Sequence, residues 1–322
     1  MQLTDIRSLI ADEMASVDAL IERRLSSDVP LVRQIAKHII GGGGKRLRPA
    51  LVILAAGCFG YRGTAHHELA VVIEFIHTAT LLHDDIVDES DMRRGSQTAN
   101  ARFGNAPSVL VGDFLYSRAF QMMVSAGNMR VMSVLADATN AIAEGEVLQL
   151  INARNAAISE AEYLAVVRRK TAKLFEAAAQ IGAIIAGADD EDERYLAKYG
   201  LHVGTAFQLI DDVLDYFGDS QETGKSLGDD LSEGKPTLPL IRVIQNGTVE
   251  QATVVRNAIL QGGRAQFETV MQAIRETDAL QYTREKAQSE VSTACLGIER
   301  LKESPYRESL LELAQFAITR RH

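Results

Sequence analysis

Tryptophan is absent, and the 322 residues include only six prolines and two cysteines. Proline removes a backbone donor and breaks helices, so its scarcity leaves long stretches free to be helical. Cys58 and Cys295 have no metal-ligand spacing. That excludes a disulfide framework or a cysteine-held metal, and points to packing roles in a reducing compartment. Basic residues are also short, with 34 Lys and Arg against 43 Asp and Glu and a net charge of −9. A general nucleic-acid binder needs a basic face, so no nucleic-acid partner is expected. The longest apolar run, Pro49 to Gly60, falls well short of the roughly 20 residues that span a bilayer. The N-terminus lacks the basic, apolar, small-residue order of a signal peptide. Together these absences predict a cytoplasmic protein without a transmembrane segment. With no Pro/Ser-rich linker either, the chain reads as a single domain over 1–322.

What is present is helical patterning. Hydrophobic residues make up 46% of the chain and seldom alternate with polar ones, which favours an all-α protein. The expected helices are Met1 to Leu25, Pro30 to the glycines Gly41 to Gly44, Pro49 to Phe59 and Glu68 to Asp88. A polar loop from Arg93 to Ala106 separates these from helices at Pro107 to Ser125 and Met129 to Leu150. A capping box at Ser159 and Glu162 starts one long helix to Ala186, and Glu191 to Phe217 forms the next. Gly200 and Gly204 inside that last helix suggest close helix packing. Gly218 to Pro236 is polar, and helices fill the rest.

The pattern centres on Phe75 to Arg94, FIHTATLLHDDIVDESDMRR, where an apolar run ends in three aspartates and then two arginines. Asp84 and Asp88 share a helix face with His77, Thr80 and Leu81, while Asp85 lies about 100° round, at the stripe's edge. The arrangement recurs in TAFQLIDDVLDYF, where Gln208, Asp211, Asp212 and Asp215 form a second stripe. One acidic cluster is usually a solvated helix end. Two Asp-Asp-x-x-Asp sets inside apolar stretches predict six carboxylates facing a bundle interior, where repulsion and lost hydration require cations. Aspartate is a hard ligand, and no histidine or cysteine completes a transition-metal set. Mg²⁺ takes one or two carboxylates and leaves positions for water and substrate phosphates, so the pair reads as a diphosphate-binding magnesium site.

Other charged clusters fit the same chemistry. GGGGKRLRP places Lys45, Arg46 and Arg48 where flexible backbone meets a helix start, favourable for an anion. It is not a P-loop, since Arg46 replaces the serine or threonine. Arg93 and Arg94 offer guanidinium forks beside the first acidic set. His77 lies on the aspartate stripe, within reach of a phosphate held by the Lys45 cluster. Lys170 and Thr171 set a cation beside a hydroxyl, and GKSLGDDLSEGKP (Gly224 to Pro236) supplies Lys225, Asp229, Asp230 and Lys235 on a segment suited to closing over phosphate.

GGGGKRLRP, LLHDDIVDESDMRRG, KTAKLFEAA, GTAFQLIDDVLDY and GKSLGDDLSEGKPTLP, in this order over about Gly41 to Leu240, resemble the trans-type prenyl diphosphate synthases. EFIHTATLLHDDIVDESDMRRG and AEGEVLQL are similar in particular to bacterial octaprenyl diphosphate synthases, which make the ubiquinone side chain. The resemblance implies the isoprenoid synthase fold, antiparallel helices around a central catalytic cavity, and a homodimer. It implies that Asp84, Asp88 and Asp211 are the principal magnesium ligands, with Asp85, Asp212 and Asp215 completing the acidic walls. Lys45, Arg48, His77 and Arg94 would hold isopentenyl diphosphate. Arg93, Lys170, Thr171, Gln208, Lys225 and Lys235 would surround the allylic diphosphate.

Such an enzyme ionises the allylic substrate, alkylates isopentenyl diphosphate with the cation and loses a proton, inside apolar walls that exclude water. Product length would be set behind the first acidic set. Ala79 and Thr80 are small where short-chain relatives carry an aromatic, so a deep tunnel and a long all-trans product, of eight units, are expected. Met122 and Met123 are candidates for the tunnel floor, and equally for ordinary core filling. The rivals are a farnesyl- or geranylgeranyl-length synthase, a terpene cyclase, and a non-catalytic partner subunit.

Overall fold

The computed structural model describes residues 8–42, 44–93, 95–217 and 227–320. It is all-α apart from one hairpin, Met92–Arg93 with Ser96–Gln97, the only strand pair among the described residues. The chain divides into two compact units.

The first unit comprises Met1–Thr139, Leu174–Gly200 and Gly297–Leu313. Its helices include α1 (Ala11–Arg24), α2 (Pro30–Gly41), α3 (Leu47–Cys58), α4 (Ala65–Val87), α5 (Ala99–Phe103) and α6 (Asn105–Ala126). α4 is its axis: Leu69 to Ile73, Phe75 and Ile76 are wholly buried, and the helix packs against α1, α3 and, most extensively, α6. α3 is buried at every position from Pro49 to Ala56, as a helix apolar all round must be. Phe75→Ala would cost about 3–5 kcal/mol in transfer and cavity terms.

The expected polar loop over 93–106 is instead a hairpin followed by α5. Met92 pairs with Gln97 and Arg93 with Ser96. Gly95 supplies the left-handed φ of +74° that the turn requires. Thr98 then caps α5, its hydroxyl accepting from Ala101 N at 3.4 Å. Asn100 donates to the carbonyls of Asp85 (3.3 Å) and Ser90 (3.1 Å) and so closes the end of α4.

The second unit comprises Asn140–Lys173, Leu201–Leu296 and Ala314–His322. The helices after α6, some of which run through both units, are in chain order α7 (Met129–Asn152), α8 (Glu160–Val167), α9 (Lys173–Ile185), α10 (Asp190–Phe217), α11 (Asp229–Ser232), α12 (Leu238–Asn246), α13 (Val249–Gln261), α14 (Phe267–Glu276), α15 (Ala279–Ile298) and α16 (Pro305–Thr319). Tyr216, Leu231, Leu240, Val243, Val255, Ile259, Val270 and Ile274 form one apolar cluster in this unit.

The Ser159–Glu162 capping box is present, but the single helix expected from there to Ala186 is not. Arg168–Ala172 forms a π turn that separates α8 from α9. Gly145 of α7 faces it, and a Cβ there would lie 2.6 Å from Lys170 N, so the two backbones touch. Gly200 does the same service in the first unit, where a Cβ would strike the Phe175 carbonyl.

Candidate active site

In the first unit the burial of α4 traces the predicted stripe. His77, Thr80, Leu81, Asp84 and Asp88 are partly exposed, while Ala79, Leu82 and Asp85 are buried. Thr80 Oγ1 donates to His77 O at 2.7 Å, and Ala79, Met122 and Met123 belong to the core. Asp85, expected at the edge, is the sealed member at 1% exposure. Its Oδ1 accepts from Arg93 Nε (2.8 Å) and Nη2 (2.7 Å). Two donors on one oxygen are what the hairpin achieves by presenting Arg93 back across the helix end.

The basic loop sorts itself into two jobs. Arg46 has φ +52°, left-handed for a non-glycine residue, and its guanidinium turns inward to Glu74, itself 8% exposed, and to Asp18 at 3.5 Å. It is an internal ion-pair partner. Arg48 instead lies 3.1 Å from His77 Nε2, its guanidinium 4.3 Å from the Phe175 ring centroid, which joins the loop to the aspartate stripe. Lys45 is half-buried just before α3. A cavity of about 510 Å³ beside Asp85 and Arg93 is also lined by Lys37, His38, Gln97 and Arg102. His83, one place before Asp84, packs on α6, its Nε2 3.2 Å from Val109 O. Arg94 and Lys225 lie outside the described residues.

In the second unit the acidic set ends α10. Asp212 is the buried member, at 1% exposure, while Asp211 and Asp215 remain partly exposed. The six carboxylates expected in the interior are thus two buried and four partly exposed. The Asp212 carboxylate accepts from Gln208 Nε2 at 3.0 Å and from the buried Tyr163 hydroxyl. Gln208 Oε1 in turn accepts from Thr171 Oγ1 at 2.9 Å. Thr171 and Gln208, expected around a diphosphate, are thereby aimed at Asp212. Burial and then the nearby Asp230 carboxylate push the Asp212 carboxyl up to about 8, against the pull of the Tyr163 and Gln208 hydrogen bonds. Lys170 Nζ pairs with Glu146 Oε2 at 2.6 Å, and Lys235 with Glu233. Arg320 Nη1 reaches Asp211 Oδ1 at 2.8 Å while its Nη2 donates to Phe207 O at 2.6 Å.

Nothing local in the sequence singles out Tyr163, Glu146 or Arg320. Tyr163 reads there as an ordinary apolar helix position, and Arg320 lies far down the chain from Asp211 with no local cue. Glu146 stands in the quoted AEGEVLQL stretch, yet only the fold sets it against Lys170.

Both acidic sets sit at helix C-termini, and neither last turn carries a basic residue. The helix dipole puts partial negative charge there, which disfavours a carboxylate by about 0.3–1 kcal/mol each. Cations relieve both that and the mutual repulsion of Asp211, Asp212 and Asp230. Asp85 Oδ2 is moreover buried with no hydrogen-bond donor among the described residues. The donor set is all oxygen and hard, so these residues fit a divalent ion such as Mg²⁺.

The sequence pattern of the Polyprenyl synthetase family matches residues 29–277. The octaprenyl diphosphate synthase of Escherichia coli K12 is 54% identical over 321 residues, 99% of each chain. That of Haemophilus influenzae is 48% identical, covering all of this chain and 98% of the other. Among solved structures, the polyprenyl synthase of Caulobacter crescentus, complexed with calcium and isoprenyl diphosphate, superposes with a TM-score of 0.96 at 42% identity, covering 100% of this chain and 98% of that one.

The chain therefore belongs to the polyprenyl synthetase family and has the isoprenoid synthase helical fold. More particularly, it is a prenyltransferase, a long-chain all-trans polyprenyl diphosphate synthase. No helix among the described residues is long and apolar enough to cross a membrane.

Proposed function

We propose that the enzyme extends farnesyl or another allylic diphosphate with isopentenyl diphosphate to an eight-unit product, using Mg²⁺, and that this product becomes the ubiquinone side chain. The observation that carries the reading is the pair of acidic helix ends without basic residues in their last turns, together with the Arg48–His77 contact at the first of those helices. Two diphosphates need two kinds of holder. The eight-unit length rests on the near full-length likeness to octaprenyl synthases and on the small residues Ala79 and Thr80.

In this reading Asp84, Asp88 and Asp211 are the principal metal ligands, with Asp85, Asp212 and Asp215 behind them. Mg²⁺, when bound, would draw charge from the departing diphosphate. Arg93 spends Nε and Nη2 on Asp85, and Nη1 is the donor it would give the allylic diphosphate, together with Lys170, Lys225 and Lys235. Thr171 and Gln208 would orient Asp212 as well as the substrate. Lys45, Arg48, His77 and Arg94 would hold isopentenyl diphosphate while the apolar core around Ala79 keeps water from the cation. The proton lost after alkylation needs no dedicated protein base, because the released diphosphate can accept it.

We read the chain as one catalytic domain, 1–322, working as a cytoplasmic homodimer. The exposed apolar residues Leu110, Phe120 and Val124 of α6 support the dimer.

The test is incubation with Mg²⁺, isopentenyl diphosphate and farnesyl diphosphate, with product mass as readout. A dominant eight-unit product is expected, and Ala79→Tyr should shorten it. A farnesyl- or geranylgeranyl-length product from the wild type would overturn the tunnel reading. Failure to consume isopentenyl diphosphate with any primer would favour a partner subunit.

A further inference from the structure

At the opposite end of α4 from the aspartates, three potential ligands converge. His66 and His67 lie in the first turn of α4, and Glu13 in the first turn of α1. Glu13 Oε2 is 3.2 Å from His66 Nε2 and also contacts His67 Nε2. One ligand atom from each residue lies within 4.8 Å of the other two. By helical rise the cluster is roughly 27 Å from Asp84, so it is separate from the acidic set on the same helix.

We propose that Glu13, His66 and His67 form a binding site for a divalent transition metal of borderline softness, of the zinc class. Two imidazoles and one carboxylate make a ligand set that suits such an ion and not magnesium. Tetrahedral coordination with bonds of about 2.0–2.2 Å would set the ligand atoms roughly 3.3 Å apart, so side-chain adjustments of about an ångström suffice. Both Nε2 atoms already point at the same carboxylate, so the donors have a common focus.

The surroundings also order the donors. His66 is 5% exposed, and the Tyr61 ring meets it edge-on at 5.2 Å, fixing its plane. The Glu13 side chain is 39% exposed and that of His67 16%, so an ion can enter and water can complete its shell. The site would join α1 to α4, a pair of helices already tied by Arg24 and Glu68 at 2.7 Å.

The experiment uses the full chain, stripped with chelator and then held in millimolar Mg²⁺ so that the acidic sets are occupied. Co²⁺ is titrated in with its visible d–d absorption as readout, and Zn²⁺ is used to displace it. One equivalent should bind per chain, and saturating Zn²⁺ should raise Tm by about 3 °C. Loss even of outer-shell partners weakens metal sites by about 10–100-fold, so Glu13→Gln and His67→Gln should each weaken Co²⁺ binding by about 100-fold or more. Both variants should keep Mg²⁺-supported prenyl transfer, which also reports that they fold. Unchanged Co²⁺ affinity in both variants, or no Co²⁺ equivalent bound in the presence of Mg²⁺, would overturn the proposal.

Discussion

Asp85 and Asp212 hold the same place in the two Asp-Asp-x-x-Asp sets, and both are sealed from solvent at 1% exposure. Their company differs. Asp85 receives two donors from a full cation, Arg93, delivered by a hairpin just past the helix. Among the described residues Asp212 has only the neutral donors Tyr163 and Gln208, with Asp230 and Asp211 nearby. The sealed aspartate of the first end is therefore balanced by a guanidinium, while at the second end the cation Arg320 pairs with Asp211 and Asp212 keeps neutral donors. Identical sequence patterns need not carry identical electrostatics.

Removing a proposed ligand from either end tests whether the two remain equal in catalysis. Asp84→Ala and Asp211→Ala should each lower kcat by at least ~10³-fold, since loss of a single transition-state stabiliser already costs 10²–10³-fold. A steady-state assay at saturating Mg²⁺ would show near-normal turnover if either assignment is wrong. The difference should emerge in stability. Arg93→Met strands the buried Asp85 charge and should cost about 3 kcal/mol in urea melts, the lower part of the range for a broken buried pair. A loss below about 1 kcal/mol would mean that Asp85 is adequately solvated without its arginine.

A pH series separates the ends further. Asp212, raised to about 8 from an ordinary 3.8, binds a proton in the native chain that the unfolded chain has released. Stability of the metal-free protein should therefore fall as pH rises through that window and level off above it. Thermal melts in chelator should show this slope, Mg²⁺ should flatten it, and Asp212→Asn should remove the Asp212 contribution. A slope unaltered in Asp212→Asn would place the titration elsewhere. The smallest expected effect is that of Tyr163→Phe, about 1 kcal/mol for one lost hydrogen bond. Because that bond pulls the Asp212 carboxyl down, its loss should also move the inflection to higher pH.

The aspartate stripes were legible because helical periodicity is local: His77, Thr80, Asp84 and Asp88 fall on one line whatever surrounds the helix. The helix starting at the Ser159–Glu162 box was legible for the same reason. Which aspartate is sealed was not, since that depends on the Arg93 hairpin in one case and on a tyrosine many residues upstream in the other. Arg46 looked like its neighbours Lys45 and Arg48, and only the fold set Glu74 opposite it. The π turn left no trace in RRKTA, whose residues all suit an α-helix; the contact that accompanies it is Gly145, on a different helix.

That π turn makes the segment sensitive in a particular way. A π turn is in effect one residue inserted into an α-helix. Deleting a residue between Arg168 and Ala172 would let the chain run as an unbroken helix, turning Tyr163 by about 100° relative to Thr171. The two could then no longer converge on Asp212, one directly and the other through Gln208. Here the number of residues is constrained more tightly than their identity, and a single-codon deletion would do more harm than most substitutions at the same positions.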